Sequence, residues 1–145
     1  MEARASGRRV LVVDANFRRP ALHRIYGLDN QAGLSNILIG AGRLEQYVHR
    51  SDQGNLDVLV GGPTPPNPAE QLASPMMRQF LDEAVRRYDH VVLDAPPALL
   101  ASDAAALGTM VDGTVLVLRA KANSRGVAQR ALNLLHHVST TPNTC

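Results

Sequence analysis

The stretch VLVVDANFRRP at residues 10–20 decides the fold of this chain. Its four leading aliphatic residues form an unbroken run, which is typical of a short strand buried on both faces of a parallel sheet. The run ends at Asp14 and is followed by a polar turn. Because ligands of open parallel sheets bind beyond the carboxyl ends of the strands, the stretch predicts both a strand and a binding site.

Further apolar runs and helical stripes extend this pattern along the chain. Three more largely apolar runs are predicted to be strands of the same kind, at residues 56–60, 91–93 and 114–118. Helical spacing of apolar residues is found at residues 75–88, 103–110 and 124–138, and Ser74-Pro75 predicts an N-cap and a first-position proline for the first of these helices. The segment 19–50 predicts two or three short helices broken at glycines. Strand and helix alternate, which predicts crossover connections and a mostly parallel α/β sheet flanked by helices.

The composition fits a single domain over residues 1–145. Hydrophobic residues make up 45% of the chain but aromatic residues only 3%, so the core must be aliphatic. Charged residues make up 19% and form no block of one sign, which excludes an intrinsically disordered chain.

The charge and the cysteine content limit which partners and which cellular compartment the sequence favours. The formal net charge is +2, and the arginines are scattered or paired, without a basic stripe interleaved with aromatics, so no nucleic-acid partner is predicted. Cys145 is the sole cysteine, which rules out a disulfide within the chain and fits a cytoplasmic location. No apolar run reaches about 18 residues, so no membrane span is predicted.

Two aspartates stand directly after predicted strands. Asp14 follows the run at residues 10–13, and Asp94 follows the run at residues 91–93. Mg²⁺ keeps several waters and takes one or two carboxylates together with phosphate oxygens, so this pair would suffice for a magnesium site. The plainer interpretation is that each aspartate caps the turn that follows it. The repetition of one context on two strands favours the metal site.

These segments also resemble a known family. The stretch at residues 10–20 is similar to the Walker A′ segment of bacterial tyrosine kinases, and VVLDAPP at residues 91–97 is similar to their Walker B segment. GPTPPNPAEQL (62–72) and VDGTVLVLR (111–119) resemble further stretches of the same family. MinD/ParA-type ATPases share the two aspartates but not the proline-rich stretch.

The resemblance implies a P-loop NTPase-like fold of the MinD/ParA type, incomplete here at both ends. It implies a protein-tyrosine (auto)kinase that uses ATP and Mg²⁺ and regulates the biosynthesis and export of capsule and exopolysaccharide. The implied partners are further copies of the chain and a membrane-bound chain-length regulator, through which a cytoplasmic chain would be held at the inner face of the membrane.

Roles for two acids and a hydroxyl nucleophile follow from the resemblance. Asp14 would lie near the Mg²⁺ and the γ-phosphate and would help to take the proton from the attacking tyrosine. That hydroxyl is a poor nucleophile while neutral, because its unperturbed pKa is about 10. Asp94 would hold Mg²⁺ through a bound water.

The resemblance also implies roles for polar and basic residues around these acids. Arg18 and Arg19 would steady phosphate or phosphotyrosine charge. Asn16 and Arg119 would lie at the nucleotide. Arg19 fits equally well as a solvated surface arginine or as the partner of an acid at a subunit contact.

The chain departs from the family pattern at three points. Asn16 stands where the family has a second acid, and it offers a carbonyl oxygen without charge. The tyrosine-rich tail is missing, and Tyr88 falls on a helical stripe, where we expect core packing. The third departure is the phosphate-binding loop, which requires Gly-x-x-x-x-Gly-Lys-Ser/Thr. The sole lysine, Lys121, follows no glycine and precedes no hydroxyl residue, and in the family the loop lies upstream of the Walker A′ strand.

Three functions remain open on the sequence. The first is a partial tyrosine-kinase domain that is inactive alone, and the second is a fragment of a MinD/ParA-type ATPase. The third is a non-catalytic remnant that binds partners. Since the strand that carries the loop would lie outside the chain, we also expect an uncovered sheet edge.

Overall fold

A mixed four-stranded sheet forms the centre of the chain. The computed structural model describes residues 7–97, 102–118 and 125–139. The strands are β1 (Val10–Asp14), β2 (His49–Arg50), β3 (Leu56–Leu59) and β4 (His90–Asp94). Their order across the sheet is β2-β3-β1-β4, and β1 is parallel to both of its neighbours. Only the two-residue β2 runs antiparallel, beside β3.

Helices connect these strands, as the sequence predicts. Between β1 and β2 lie three short helices, α1 (Leu22–Ile25), α2 (Leu34–Leu38) and α3 (Leu44–Tyr47). Between β3 and β4 lie α4 (Pro68–Leu72) and α5 (Pro75–Arg87), and β4 is followed by α6 (Ser102–Gly108) and α7 (Arg125–Ser139). None of the helices among the described residues is both long and apolar enough to cross a bilayer.

Helix α5 begins at the cap that the sequence predicts. The Ser74 hydroxyl accepts a hydrogen bond from the Met77 amide at 3.3 Å, and Pro75 occupies the first helical position, where its missing N–H costs nothing. The predicted stripe faces the sheet, since Phe80 and Ala84 are buried against it. Val85 is the exception, because it lies 60% exposed on the outer side of the helix.

The core packs between the central strands and the helices. Strands β1 and β3 are buried along nearly their whole length, as continuous apolar runs predict. The main cluster is aliphatic, with Phe17, Phe80 and Tyr88 as its aromatic members. It also includes Leu11, Val13, Leu34, Leu59, Leu72, Met77 and Leu107.

Tyr88 links the starts of three strands. Its hydroxyl donates to the Asp57 carboxylate at 2.7 Å, and the Arg9 guanidinium lies 4.8 Å from the centre of its ring. Arg9 also approaches Asp57 to 3.6 Å, and its amide donates to Asp89 at 2.8 Å. Burial, and then the hydrogen bond to Asp57, raises the pKa of Tyr88 to about 12. The expected core position of Tyr88 is therefore confirmed.

The predicted strand at residues 114–118 is wrong. These residues form no ladder with any described strand, and Val115 and Val117 are 89% and 85% exposed. An apolar run indicates which residues favour burial, but it becomes a strand only where a neighbouring strand supplies hydrogen-bond partners. Among the described residues β4 likewise has a neighbour on one side only, and Val92 is 51% exposed although a fully buried strand was predicted.

The sequence analysis also missed two small elements. Strand β2 has only two residues, too few for a period to be visible. Helix α4 begins within the proline-rich stretch. Pro68 occupies its first position, where proline is tolerated because no N–H is needed there.

The buried face of α5 provides a test of the core. We expect Phe80→Ala to lower the free energy of unfolding by about 3–5 kcal/mol, because it removes a large side chain from a packed cluster. The matched control on the same helix is Val85→Ala, at an exposed position, with an expected change within roughly 0.5 kcal/mol. Urea unfolding followed by circular dichroism measures both. Equal losses in the two variants would contradict the assigned helix face.

Candidate functional site

Asp14 is the last residue of β1 and organises the turn that follows. Its side chain is fully buried. One carboxylate oxygen, Oδ1, accepts the Asn16 amide at 3.1 Å, and Oδ2 accepts the amides of Ala21 at 2.9 Å and Leu22 at 3.1 Å. The turn-capping interpretation is therefore correct for Asp14. Because a carboxylate offers about four lone-pair positions, roughly one remains for a further ligand.

Asp94 lies directly across the sheet from Asp14. The two are register partners at the ends of β1 and β4, and the Ala15 amide donates to the Asp94 carbonyl at 2.9 Å. Burial, and secondarily the charge of Asp14, raises the pKa of Asp94. No described group donates a hydrogen bond to the Asp94 carboxylate, so burial and the charge of Asp14 act on this acid without a compensating donor among the described residues.

This pair suits a hard divalent cation. Over the described ranges no group of three or more His, Cys, Asp or Glu side chains comes together, so a site built from protein ligands alone is absent there. Mg²⁺ requires less, because it retains waters and binds through one or two carboxylates. Burial, and then the charge of Asp14, disfavours the charged form of Asp94, and a cation beside this carboxylate would stabilise that form. The residues present therefore fit Mg²⁺.

The other predicted site residues are divided between the turn and the solvent. The Asn16 side chain accepts the Arg19 amide at 3.1 Å, so its carbonyl oxygen shapes the turn. Arg18 forms a two-pronged contact with Asp103, from Nε to Oδ2 at 2.9 Å and from Nη2 to Oδ1 at 3.3 Å. Arg19 is exposed. Arg119 lies outside the described residues.

Two contacts at this end of the sheet were missed by the sequence analysis. Asp103 is fully buried in the first turn of α6, and only its place at the start of a predicted helix signalled a special role. Thr64, from the proline-rich stretch, donates its hydroxyl to the Phe17 carbonyl at 3.0 Å. Nothing in the residue spacing connects Thr64 with the turn, because 47 positions separate the two residues.

A close backbone contact fixes the loop after β3 beside the segment that precedes α2. A Cβ on Gly33 would lie 2.1 Å from the Val60 carbonyl oxygen, so no other residue fits there. The Gly62 amide donates to the Asn30 side chain at 2.9 Å, and Gly62 has a φ of +79°, which favours glycine. The start of the proline-rich stretch is thereby held against residues 30–33, and the Thr64 hydroxyl joins it to the turn after β1.

Solved structures of other proteins share this architecture. The chain is 36% identical to the kinase domain of the Escherichia coli tyrosine kinase ETK, with a TM-score of 0.87 over 92% of this chain and 52% of that one. A cobyrinic acid a,c-diamide synthase from Mycobacterium smegmatis, solved with an ATP analogue and magnesium, matches at a TM-score of 0.76 and 22% identity, over 96% of this chain and 59% of that one. At that identity the likeness concerns the fold alone. The fold is that of P-loop NTPases.

The sequence relatives are more specific. Over 129 residues the chain is 41% identical to the tyrosine-protein kinase YwqD of Bacillus subtilis. The alignment covers 89% of this chain and 54% of YwqD. No protein-family model matches the chain. By its relatives and its fold the chain belongs to the bacterial tyrosine-kinase family, and it spans about half the length of the curated relatives it matches.

The buried position of Asp94, with the charge of Asp14 beside it, predicts a gain in stability when the acid is removed. The native pKa of Asp94 is raised above the ordinary value of an aspartate, first by burial and then by the charge of Asp14, so the native state binds the proton more tightly than the unfolded state does. Protonated Asp94 therefore stabilises the native state below the pKa that this group has in the unfolded chain. This contribution is lost as the pH rises through the pKa of Asp94 in the native state. In metal-free buffer at pH 7 we therefore expect Asp94→Asn to unfold at a higher temperature than the wild type.

The advantage of Asp94→Asn should vanish at a pH well below the ordinary aspartate pKa of about 3.9, where both states carry the protonated acid. Asp52→Asn, at an exposed turn position, is the matched control and should leave the melting temperature unchanged at both pH values. Thermal unfolding by circular dichroism measures all three proteins. A lower melting temperature for Asp94→Asn at pH 7 would disprove the destabilising effect of the charged Asp94 carboxylate.

Removal of the Asp14 carboxylate, unlike removal of the Asp94 carboxylate, is expected to lower the stability of the chain. We expect Asp14→Ala to lower the free energy of unfolding by roughly 2–4 kcal/mol, because three backbone N–H groups lose a charged acceptor. Asp52→Ala removes an exposed carboxylate and should stay within about 0.5 kcal/mol of the wild type. Urea unfolding gives both values. A change below about 1 kcal/mol for Asp14→Ala would show that the turn does not depend on this carboxylate.

Proposed function

We propose that this chain supplies the magnesium-binding side of an ATP-dependent protein-tyrosine kinase domain, and that the 145-residue chain does not transfer phosphate by itself. The observation that carries the proposal is the pair of carboxylates, Asp14 and Asp94, which face each other at the ends of two neighbouring parallel strands. This edge of a parallel sheet is where ligands bind. The identity to tyrosine kinases supports the choice of reaction.

The two acids would have different tasks. Asp94 has a carboxylate free of described donors, so it would hold Mg²⁺ through a bound water. Asp14 has about one acceptor position left, with which it would contact the hydrated ion or take the proton of the attacking tyrosine hydroxyl. When bound, Mg²⁺ neutralises charge on the phosphate oxygens.

The basic and amide residues would act around this pair. Arg18 uses two of its five N–H groups on Asp103 and is half exposed, so the remaining donors would reach a phosphate oxygen. Asn16 would act through the turn, whose shape it fixes, because its side-chain oxygen accepts the Arg19 amide. We retain Arg119 as a nucleotide contact on the family resemblance alone.

The missing phosphate-binding loop is the reason to expect no activity from the chain alone. Within residues 1–145 no Gly-x-x-x-x-Gly-Lys-Ser/Thr segment occurs, and Lys121 has no glycine before it. Backbone N–H groups of such a loop surround the phosphates, and its lysine reaches the β- and γ-oxygens. A pair of carboxylates cannot replace those donors.

The biological setting that we propose follows the family. The kinase would regulate the synthesis and export of capsule or exopolysaccharide and would assemble with further copies of itself. A membrane-bound chain-length regulator would hold it at the cytoplasmic face of the membrane.

A chimera tests whether the site is competent. We would replace the matched 129-residue segment of YwqD with the corresponding part of this chain, so that YwqD supplies the rest of the kinase. With Mg·ATP the chimera should gain phosphotyrosine, detected by an anti-phosphotyrosine blot and by mass spectrometry. Asp94→Asn in the chimera should slow this reaction about 10- to 100-fold, because it removes a residue that orients the metal. Asp52→Asn should leave the rate unchanged.

Other outcomes select another function. ATP hydrolysis by the chimera without phosphotyrosine would replace the kinase proposal with a MinD/ParA-type ATPase. A folded chimera that neither hydrolyses ATP nor gains phosphotyrosine would identify the chain as a non-catalytic remnant. Phosphotyrosine on the unfused 145-residue chain would refute the proposed inactivity of the chain alone.

A further inference from the structure

The contact between Arg18 and Asp103 joins the segments that follow the two strand-end acids. Arg18 lies four residues after Asp14, in the turn after β1, whereas Asp103 lies nine residues after Asp94, in the first turn of α6. The two contacts measure 2.9 Å and 3.3 Å and span 85 positions of sequence. The planar guanidinium meets the carboxylate edge-on, which is the strongest arrangement for this pair.

The burial of the two partners is unequal. The Asp103 side chain is 0% exposed, whereas that of Arg18 is 49% exposed. A buried carboxylate requires a charged partner, and over the described ranges Arg18 is the partner that Asp103 has. Asp103 therefore lies behind the guanidinium, on the protein side, and holds the inner edge of a group whose outer part reaches solvent.

The unused donors of Arg18 determine what this arrangement can do. Asp103 takes Nε and Nη2, which leaves Nη1 and the second hydrogen of Nη2 without a described acceptor. A guanidinium fixed along one edge loses its rotational freedom before a ligand arrives, so an anion bound at the other edge costs less ordering entropy. Phosphate oxygens are the anionic acceptors that this fork fits best.

We propose that Asp103 is a positioning residue that orients Arg18 toward a phosphoryl group. The inference rests on the proposed function for the nature of the ligand, a chain of phosphates. Asp103 itself does not touch the ligand. Its carboxylate acts through Arg18, in the way that outer carboxylates orient the residues that bind a metal.

Binding of inorganic tripolyphosphate tests this role without requiring catalysis. Isothermal titration of the 145-residue chain should show affinity that falls about 3- to 10-fold in Asp103→Asn, the loss of roughly one well-placed hydrogen bond. Arg18→Ala should lose at least as much. The double variant Arg18→Ala/Asp103→Asn should bind no more weakly than Arg18→Ala, because Asp103 acts only through Arg18.

Two further variants separate orientation from stability. Glu45→Gln breaks the exposed ion pair with Arg87, whose atoms lie 3.3 Å apart, and should leave tripolyphosphate affinity unchanged. Arg18→Lys keeps a cation beside Asp103 but loses the fork, so it should show the same 3- to 10-fold loss while the chain stays folded. This variant answers the question if Asp103→Asn unfolds.

The result that overturns the proposal is unchanged affinity in Asp103→Asn and Arg18→Lys, or no binding of tripolyphosphate by the folded wild-type chain. Failure of the kinase proposal is recognised separately, by the absence of phosphotyrosine on the chimera. Orientation of Arg18 by Asp103 can therefore be supported even where tyrosine phosphorylation is not observed.

Discussion

The carboxylate of Asp14 accepts three backbone N–H groups, and the geometry of the site depends on this interaction. A turn that leaves a buried strand carries amides that must find acceptors once water is excluded. Asp14 supplies the acceptor from the strand itself, so the turn and the start of α1 are fixed to the sheet. The positions of Asn16, Phe17 and Arg18 follow from that attachment. A residue of another type here would leave the turn without its anchor.

The same interaction divides the two strand-end acids into different roles. Asp14 is already neutralised in part by the amides around it, and its burial is tolerated for that reason. Asp94 has no such donors in the described part of the chain, and burial and the nearby charge of Asp14 act on it without compensation. Stability and function therefore make opposite demands at β4, as is common at sites that bind a charged ligand. Without a bound cation Asp94 destabilises the chain, and it stabilises the chain only when a positive charge lies beside it.

Much of this arrangement could be predicted from sequence, and the reasons differ from element to element. Two strands and their common edge were predicted from the runs that end at Asp14 and Asp94. A short unbroken aliphatic run usually forms a buried strand. The Ser74-Pro75 pair predicted the start of α5. The run at residues 114–118 has the same composition, but it did not become a strand, since sequence records the preference for burial and not the presence of a neighbour.

The side chains of the site were harder to anticipate for a related reason. Asp103 and Thr64 reach the turn after β1 from segments 85 and 47 positions away from their partners. Such contacts are set by tertiary structure, which no local pattern encodes. The resemblance predicts a functional role for Arg18, but it does not predict that Asp103 is its partner.

The environment of Tyr88 has a consequence for any map of modified tyrosines. A phosphoryl group on its hydroxyl would place about two negative charges beside the buried Asp57 carboxylate, with which the hydroxyl now shares a hydrogen bond. The ring is also covered, with 6% of the residue exposed. The chain has three tyrosines, so a phosphopeptide from its folded form should carry the mark on Tyr26 or Tyr47. Phosphorylation of Tyr88 would instead indicate that the chain was unfolded when it was modified.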